Sequence, residues 1–265
     1  MGIIETTELT RRFGSLAAVD GMNIAVEGGE VFGLLGPNGA GKTTAVKMLT
    51  TLLPPTSGNA RVGGFDVVHH QGDVRRVIGY VPQALSADGS LTGYENLLIF
   101  AKLYDIPGKE RKARIDDALD FMGLTEVAGR LVREYSGGMI RRLEIAQSMV
   151  YRPRVLFLDE PTVGLDPSAR KTVWDHLEEL RSDYGTTILL TTHLMEEADA
   201  FCGRVAIMNA GKIVVTGTPS ELKKSIEKKG ATLDDVFIHY TGEKIEATGG
   251  YRDVRRNRRT ARRLG

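Results

Sequence analysis

The sequence predicts an α/β fold built on a parallel sheet, and three observations predict it. Two short runs, Val155-Leu156-Phe157-Leu158 and Thr187-Ile188-Leu189-Leu190-Thr191, are apolar or β-branched without polar alternation, the pattern of strands buried on both faces. A third apolar run, Val31-Phe32-Gly33-Leu34-Leu35, leads into the stretch Gly36-Pro37-Asn38-Gly39-Ala40-Gly41-Lys42-Thr43-Thr44. The segment after it, Ala45-Val46-Lys47-Met48-Leu49, reads as a helix, so a strand, a glycine loop and a helix follow one another.

Taken in order, residues 3–27 read as strands with turn glycines, and 31–53 as the strand, loop and first helix. Pro54-Pro55-Thr56-Ser57-Gly58 stops that helix. Character changes over residues 84–134, which read as an inserted helical segment. Thr92-Gly93-Tyr94-Glu95 has capping-box spacing ahead of Leu97-Leu98-Ile99-Phe100. Ile115, Leu119 and Met122 fall on one helical face, and Gly123 supplies the stop. Residues 234–241 fit a plain amphipathic segment. From Tyr251 to Gly265 there are seven arginines and one acid, Asp253, the composition of a solvated, disordered end. A sharper reading is contact with anionic lipid headgroups, at about 1 kcal/mol per basic residue near the surface.

Bulk properties exclude several classes. A net charge of +1 gives no global pull toward nucleic acid or membrane. The single cysteine, Cys202, cannot form a disulfide within the chain, which suits a reducing compartment. The apolar runs fall far short of the roughly 20 residues of a helical span. The start, MGIIETTELT, lacks the basic region and apolar core of a secretory signal. Work at a membrane would therefore require something other than a helical span to hold the chain there. The adjacent pair His69-His70 does not share one face of a helix or strand and has no cysteine nearby, so no metal site is predicted there.

The chemistry sits in the glycine stretch. Gly36, Gly41, Lys42 and Thr43 fit G-x-x-x-x-G-K-[ST], the P-loop. Glycines let successive backbone N–H groups approach phosphate oxygens, and the following helix adds its free N–H groups and the positive end of its dipole. In such a loop Lys42 reaches the β- and γ-phosphates of a nucleoside triphosphate, Thr43 offers a hydroxyl to Mg²⁺, and Thr44 serves the α-phosphate. Asp159, at the carboxyl end of its strand, is placed to hold Mg²⁺. Glu160, one residue on, is placed to polarise the attacking water as general base. His193 follows the next strand toward the same rim and is a candidate γ-phosphate sensor.

With those residues in place, the chain resembles the nucleotide-binding subunits of ABC transporters over roughly residues 3–220, with the motifs in that family's order. Phe13, in Arg12-Phe13-Gly14, matches the aromatic that stacks on adenine. Gln83, in Gly79-Tyr80-Val81-Pro82-Gln83, matches the glutamine that meets Mg²⁺ and water and senses the membrane partner. Ser136, Gly137 and Gly138 match the signature loop that completes the ATP site of the opposite subunit. Asp166, in Gly164-Leu165-Asp166, matches the loop crossing the dimer interface, and His193 the switch histidine. The signature departs from the common LSGGQ, with Tyr135 for leucine and Met139 for glutamine. Arg141-Arg142-Leu143 after it, and Thr232-Leu233-Asp234-Asp235-Val236-Phe237, look like the drug-exporter branch of the daunorubicin-resistance type.

The resemblance implies a P-loop NTPase core of ABC type, residues 1–83 and 150–220, with an N-terminal antiparallel β subdomain. It implies a helical subdomain at 84–149 carrying the signature, a C-terminal extension at 221–250 and the basic tail at 251–265. It implies an ATPase using ATP and Mg²⁺, peripheral to the cytoplasmic face of the cell membrane. The expected partners are a separate transmembrane permease subunit and a second copy of this chain, with no nucleic acid. The implied function is ATP binding and hydrolysis in a two-component exporter of drugs, antibiotics or similar hydrophobic compounds. The alternatives are a soluble ABC-type ATPase on ribosomes or DNA, which usually joins two cassettes in one chain or inserts long coiled coils, and an importer ATPase. A GTPase switch is disfavoured because no Asn-Lys-x-Asp is present.

Overall fold

A computed structural model describes residues 2–242. The basic tail, and the C-terminal extension beyond 242, lie outside the described residues. Strands β1 (Ile4–Phe13), β2 (Leu16–Met22) and β3 (Ala25–Val26) come first, followed by β4 (Val31–Leu35) and helix α1 (Lys42–Leu49). Next come β5 (Ser57–Val62), β6 (Phe65–Asp66), α2 (Gln71–Val77) and β7 (Ile78–Val81). Three helices follow, α3 (Gly93–Leu103), α4 (Gly108–Phe121) and α5 (Gly137–Met149). The chain then runs through β8 (Val155–Asp159), α6 (Pro167–Tyr184), β9 (Thr187–Thr192), α7 (Met195–Phe201), β10 (Arg204–Asn209) and β11 (Lys212–Gly217). It closes with α8 (Pro219–Lys224) and α9 (Leu233–Thr241).

Two sheets result. The first has the order β2-β1-β5-β6, with β3 also on β1, and every pairing in it is antiparallel. The second has the order β11-β10-β4-β9-β8-β7, parallel throughout except for the antiparallel β10–β11 pair. Every residue of β4, β8 and β9 is buried, as unalternated apolar runs require. One face of this sheet packs on α1 and the antiparallel sheet, through Phe32, Leu34, Val46, Met48 and Phe157. The other carries α3 to α9, through Leu35, Leu143, Leu156, Trp174 and Leu190.

The helical segment forms as its sequence predicts. Thr92 caps α3 by accepting from the Glu95 backbone N–H, and the Glu95 carboxylate accepts from the Thr92 N–H at 2.8 Å. Ile115, Leu119 and Met122 are buried, and Gly123 ends that turn with φ 60°. Tyr135, the departure from leucine, is also buried there, and its hydroxyl donates to the Val127 carbonyl at 2.7 Å. It fits because α3 begins with Gly93, where a Cβ would lie 2.4 Å from the tyrosine oxygen. Residues 234–241 lie in α9, capped by Thr232 and Asp235, with Leu233, Val236 and Phe237 buried. Among the described residues, no helix is long and apolar enough to cross a membrane.

Candidate nucleotide site

The strand order places the motif residues. β4, β9, β8 and β7 lie side by side and parallel, so their carboxyl ends share one edge. Gly36 follows β4, His193 follows β9, Asp159 ends β8 with Glu160 directly after it, and Gln83 lies two residues past β7. Residues scattered over 157 positions of sequence, from 36 to 193, thus meet at the rim where open α/β sheets bind ligands.

A cavity of about 460 Å³ opens at this rim. Asn38, Gly39, Gly41, Lys42, Thr43, Thr44, Gln83 and Glu160 line it, and Leu16–Ala18, Ala210 and Gly211 form a wall that the sequence did not announce. Pro37 and Ala40 shape the loop from behind: the Pro37 carbonyl accepts from the Ala40 N–H at 3.2 Å, and Ala40 is buried. Gly41 caps α1 at φ 108°, and a Cβ there would sit 2.2 Å from the Ala18 carbonyl oxygen, so both dihedral and space demand glycine.

Lys42 is 5% exposed. Its Nζ donates to the Gly36 and Pro37 carbonyls at 2.7 and 3.1 Å and lies 3.4 Å from Glu160 Oε1. Burial lowers its pKa, against the opposing pull of Glu160 and Asp159. For Glu160, burial alone would raise the carboxyl, but the imidazole of His193 and the ammonium of Lys42 outweigh it and hold it below the usual carboxylate range. An ionised Glu160 at neutral pH is what a base needs.

Asp159 is fully buried, and its Oδ1 accepts from Thr191 at 2.6 Å and Thr43 at 3.1 Å. Thr191 also supports Glu160, since its hydroxyl and carbonyl accept from the Glu160 N–H at 3.0 and 3.1 Å. Those bonds hold Glu160 at φ 50°, a left-handed conformation that costs a non-glycine residue of order 1–3 kcal/mol and that clusters at working sites. His193 Nδ1 lies 3.3 Å from Glu160 Oε2 without a hydrogen-bonding alignment, and Gln83 Nε2 donates to the same oxygen at 3.2 Å. Lys42, Gln83 and His193 therefore converge on one carboxylate. The hard oxygens of Thr43 and Asp159 suit Mg²⁺.

Five expected residues stand apart. Phe13 is 47% exposed at the end of β1, does not line the cavity, and carries the Arg11 guanidinium 4.7 Å above its ring. Leu16, its partner across the hairpin, does line it. Ser136, Gly137 and Gly138 open α5 outside this cavity, where the Ser136 hydroxyl accepts from the Met139 N–H at 3.3 Å. Asp166 caps α6 by accepting from the Ser168 and Ala169 N–H groups, and is exposed. Thr191 was legible only as a strand residue. A threonine at the last strand turn before His193 is the signal that could have marked it. A separate cavity of about 170 Å³, lined by Phe121, Met149 and Tyr184 among others, contains none of the residues singled out in the sequence.

The family model for ABC transporters matches residues 19–163. The chain is 44% identical over 244 residues to the daunorubicin/doxorubicin resistance ATP-binding protein DrrA of Streptomyces peucetius, covering 92% of this chain and 73% of that one. It is 36% identical over 220 residues to the linearmycin resistance ATP-binding protein LnrL of Bacillus subtilis, covering 83% and 70%. A solved ATP-binding subunit of an ABC transporter superposes with a TM-score of 0.81 at 26% identity, over 90% of this chain and 99% of that one.

Proposed function

The chain belongs to the ABC transporter ATP-binding family and is an ATPase, and from that premise we propose that it drives a two-component exporter of drugs, antibiotics or similar hydrophobic compounds. The observation that carries this reading is the convergence of Lys42, Gln83 and His193 on Glu160 beside a P-loop, in a chain similar to resistance ATP-binding proteins.

In this reading the P-loop amides and Lys42 bind the triphosphate, and Thr43 and Asp159 hold Mg²⁺ with Gln83 near it. Mg²⁺, when bound, neutralises charge between the β- and γ-phosphates. Glu160 takes a proton from the attacking water, and His193 orients the γ-phosphate. One chain covers only one side of that phosphate. A second copy would present Ser136 and the Gly137 and Gly138 N–H groups across the interface, with Asp166 nearby, so that ATP acts as an interface ligand. Phe13 pairs across the hairpin with Leu16 of the cavity wall, and in this reading its ring turns to stack on adenine. Phe13→Ala is then expected to weaken ATP binding by about 1–3 kcal/mol, measured by titrating a fluorescent ATP analogue. An unchanged affinity would assign the adenine contact to the Leu16–Ala18 wall instead.

Docking to a permease is supported by a second groove, of about 230 Å³, lined by Leu52, Phe100, Tyr104 and Tyr151 between the core and α3. Leu52 in that lining is 57% exposed, and Leu103, which immediately precedes the lining residue Tyr104, is 69% exposed. A short apolar helix of the membrane subunit would fit this groove, next to the segment carrying Gln83. Tyr94, in the first turn of α3, is half-buried against the helical core, so Leu103→Arg is the cleaner test. The wild-type chain is expected to fractionate with membranes only when a permease subunit is co-expressed, and Leu103→Arg is expected to release it while leaving ATP binding intact. Equal membrane association of the wild-type chain expressed alone would sink the docking reading and turn attention to the basic tail.

A further inference from the structure

Two buried charges tie α5 to the segment that follows β7. Arg141 and Glu144 lie one turn apart on α5, with side chains 3% and 2% exposed and 3.0 Å between them. Arg141 donates to the Pro82 carbonyl at 2.7 Å and to the Gln83 carbonyl at 2.8 Å. Glu144 Oε1 accepts from the Ser86 N–H, from the Ser86 hydroxyl at 3.1 Å and from the Ala87 N–H at 3.3 Å. Both ends of the segment from Pro82 to Ala87 are thus gripped by one helix. A buried ion pair is poor value for stability alone, because desolvating two charges offsets much of their attraction. What this pair supplies is geometry: a planar fork on two successive carbonyls and a carboxylate on two successive N–H groups.

The grip reaches the site. Arg141 holds the backbone of Gln83, and the Gln83 side chain donates to Glu160 Oε2 at 3.2 Å. Ser136 caps the same α5 at its start. Signature loop, glutamine and base are therefore joined through one rigid helix. We propose that Arg141 and Glu144 are positioning residues for hydrolysis, locking the Pro82–Ala87 segment to α5 so that Gln83 meets Glu160 only in the orientation set by the helix that carries Ser136. This rests on the reading of Gln83 and Glu160 given above.

The test uses the full chain with a nitroxide at Leu85→Cys, a 52% exposed site within the gripped segment. Cys202, 7% exposed and with its thiol pushed up to about 12 by burial, stays unlabelled. Arg141→Lys keeps the charge but loses the fork. It is expected to lower kcat about tenfold with KM for ATP within about twofold, and to make the label at position 85 visibly more mobile. Ser86→Ala, at an exposed position, removes one donor to Glu144 and is expected to shift both readouts the same way by a smaller factor, about twofold in kcat. A folded Arg141→Lys protein with wild-type kcat or an unchanged label spectrum overturns the proposal. If Arg141→Lys does not fold, Ser86→Ala decides it by the same two readouts. A Gln83→Ala control separates the failures: full activity there would dismiss the glutamine's role, while the label spectrum still reports whether Arg141 holds the segment.

Discussion

Replacing Lys42 by alanine will raise the dissociation constant for ATP by about two orders of magnitude or more, roughly 3 kcal/mol, taking binding out of the cellular range. Lys42 is the one cationic side chain among the described residues lining the cavity. Its ammonium is buried, anchored on the Gly36 and Pro37 carbonyls, and already paired with Glu160, so it is aimed before any nucleotide arrives. The pairing adds a second effect. Without Lys42, Glu160 stays buried with its chief cation gone, and its carboxyl should shift upward toward the neutral form. The variant should therefore differ from the wild type in the charge state of the site as well as in affinity. Titration of a fluorescent ATP analogue into both proteins, with circular dichroism to verify folding, measures the first effect. Matching affinities would remove the lysine from the mechanism.

Glu160→Gln will bind ATP and barely hydrolyse it, with kcat falling about 10²–10⁴-fold, the usual span for losing a general base. Asp159 keeps its bonds to Thr43 and Thr191, so the metal-binding oxygens are untouched. The glutamine no longer neutralises Lys42, which leaves more positive charge for the γ-phosphate. Trapped ATP should then hold two chains together, and size-exclusion chromatography with Mg-ATP would reveal a dimer. Adding Ser136→Arg places a bulky cation where the opposite chain's phosphate should sit and is expected to restore the monomer. A Glu160→Gln protein that stays monomeric with Mg-ATP would leave the sandwich arrangement without support in the isolated chain.

Much of this was legible in the sequence because it is local. The P-loop spacing, the unalternated strands and the Thr92–Glu95 cap each depend on residues within a few positions of one another. What was not legible is lateral. No periodicity announces that β9 inserts between β4 and β8, and that order alone brings His193 and Thr191 to Glu160. The Lys42–Glu160 pair spans 118 positions, from 42 to 160, and forms because two loops end on one rim. Arg141 was visible only as part of a basic run after the signature, and its burial against Pro82 and Gln83 comes from how α5 packs on β7. Phe13 was legible as a motif aromatic, whereas its place outside the cavity lining follows from how the β1–β2 hairpin sits on the rim.

The same sheet order governs how the chain can be made. β4 is completed by residue 35, yet its two neighbours are β9 and β10, which begin at Thr187 and Arg204. At about 5–20 residues per second of synthesis, Val31 to Leu35 wait roughly ten to thirty seconds for their first lateral partner. Throughout that interval the most apolar strand of the nucleotide core has both of its backbone edges open, the condition under which nascent chains misassemble with one another. Yield in a host cell should accordingly depend on ribosome speed and on chaperones that hold extended apolar segments. A ribosome stalled between Glu160 and Thr187 leaves a polypeptide that contains the whole P-loop and the acidic end of β8 but lacks the strand that joins β4 to β8.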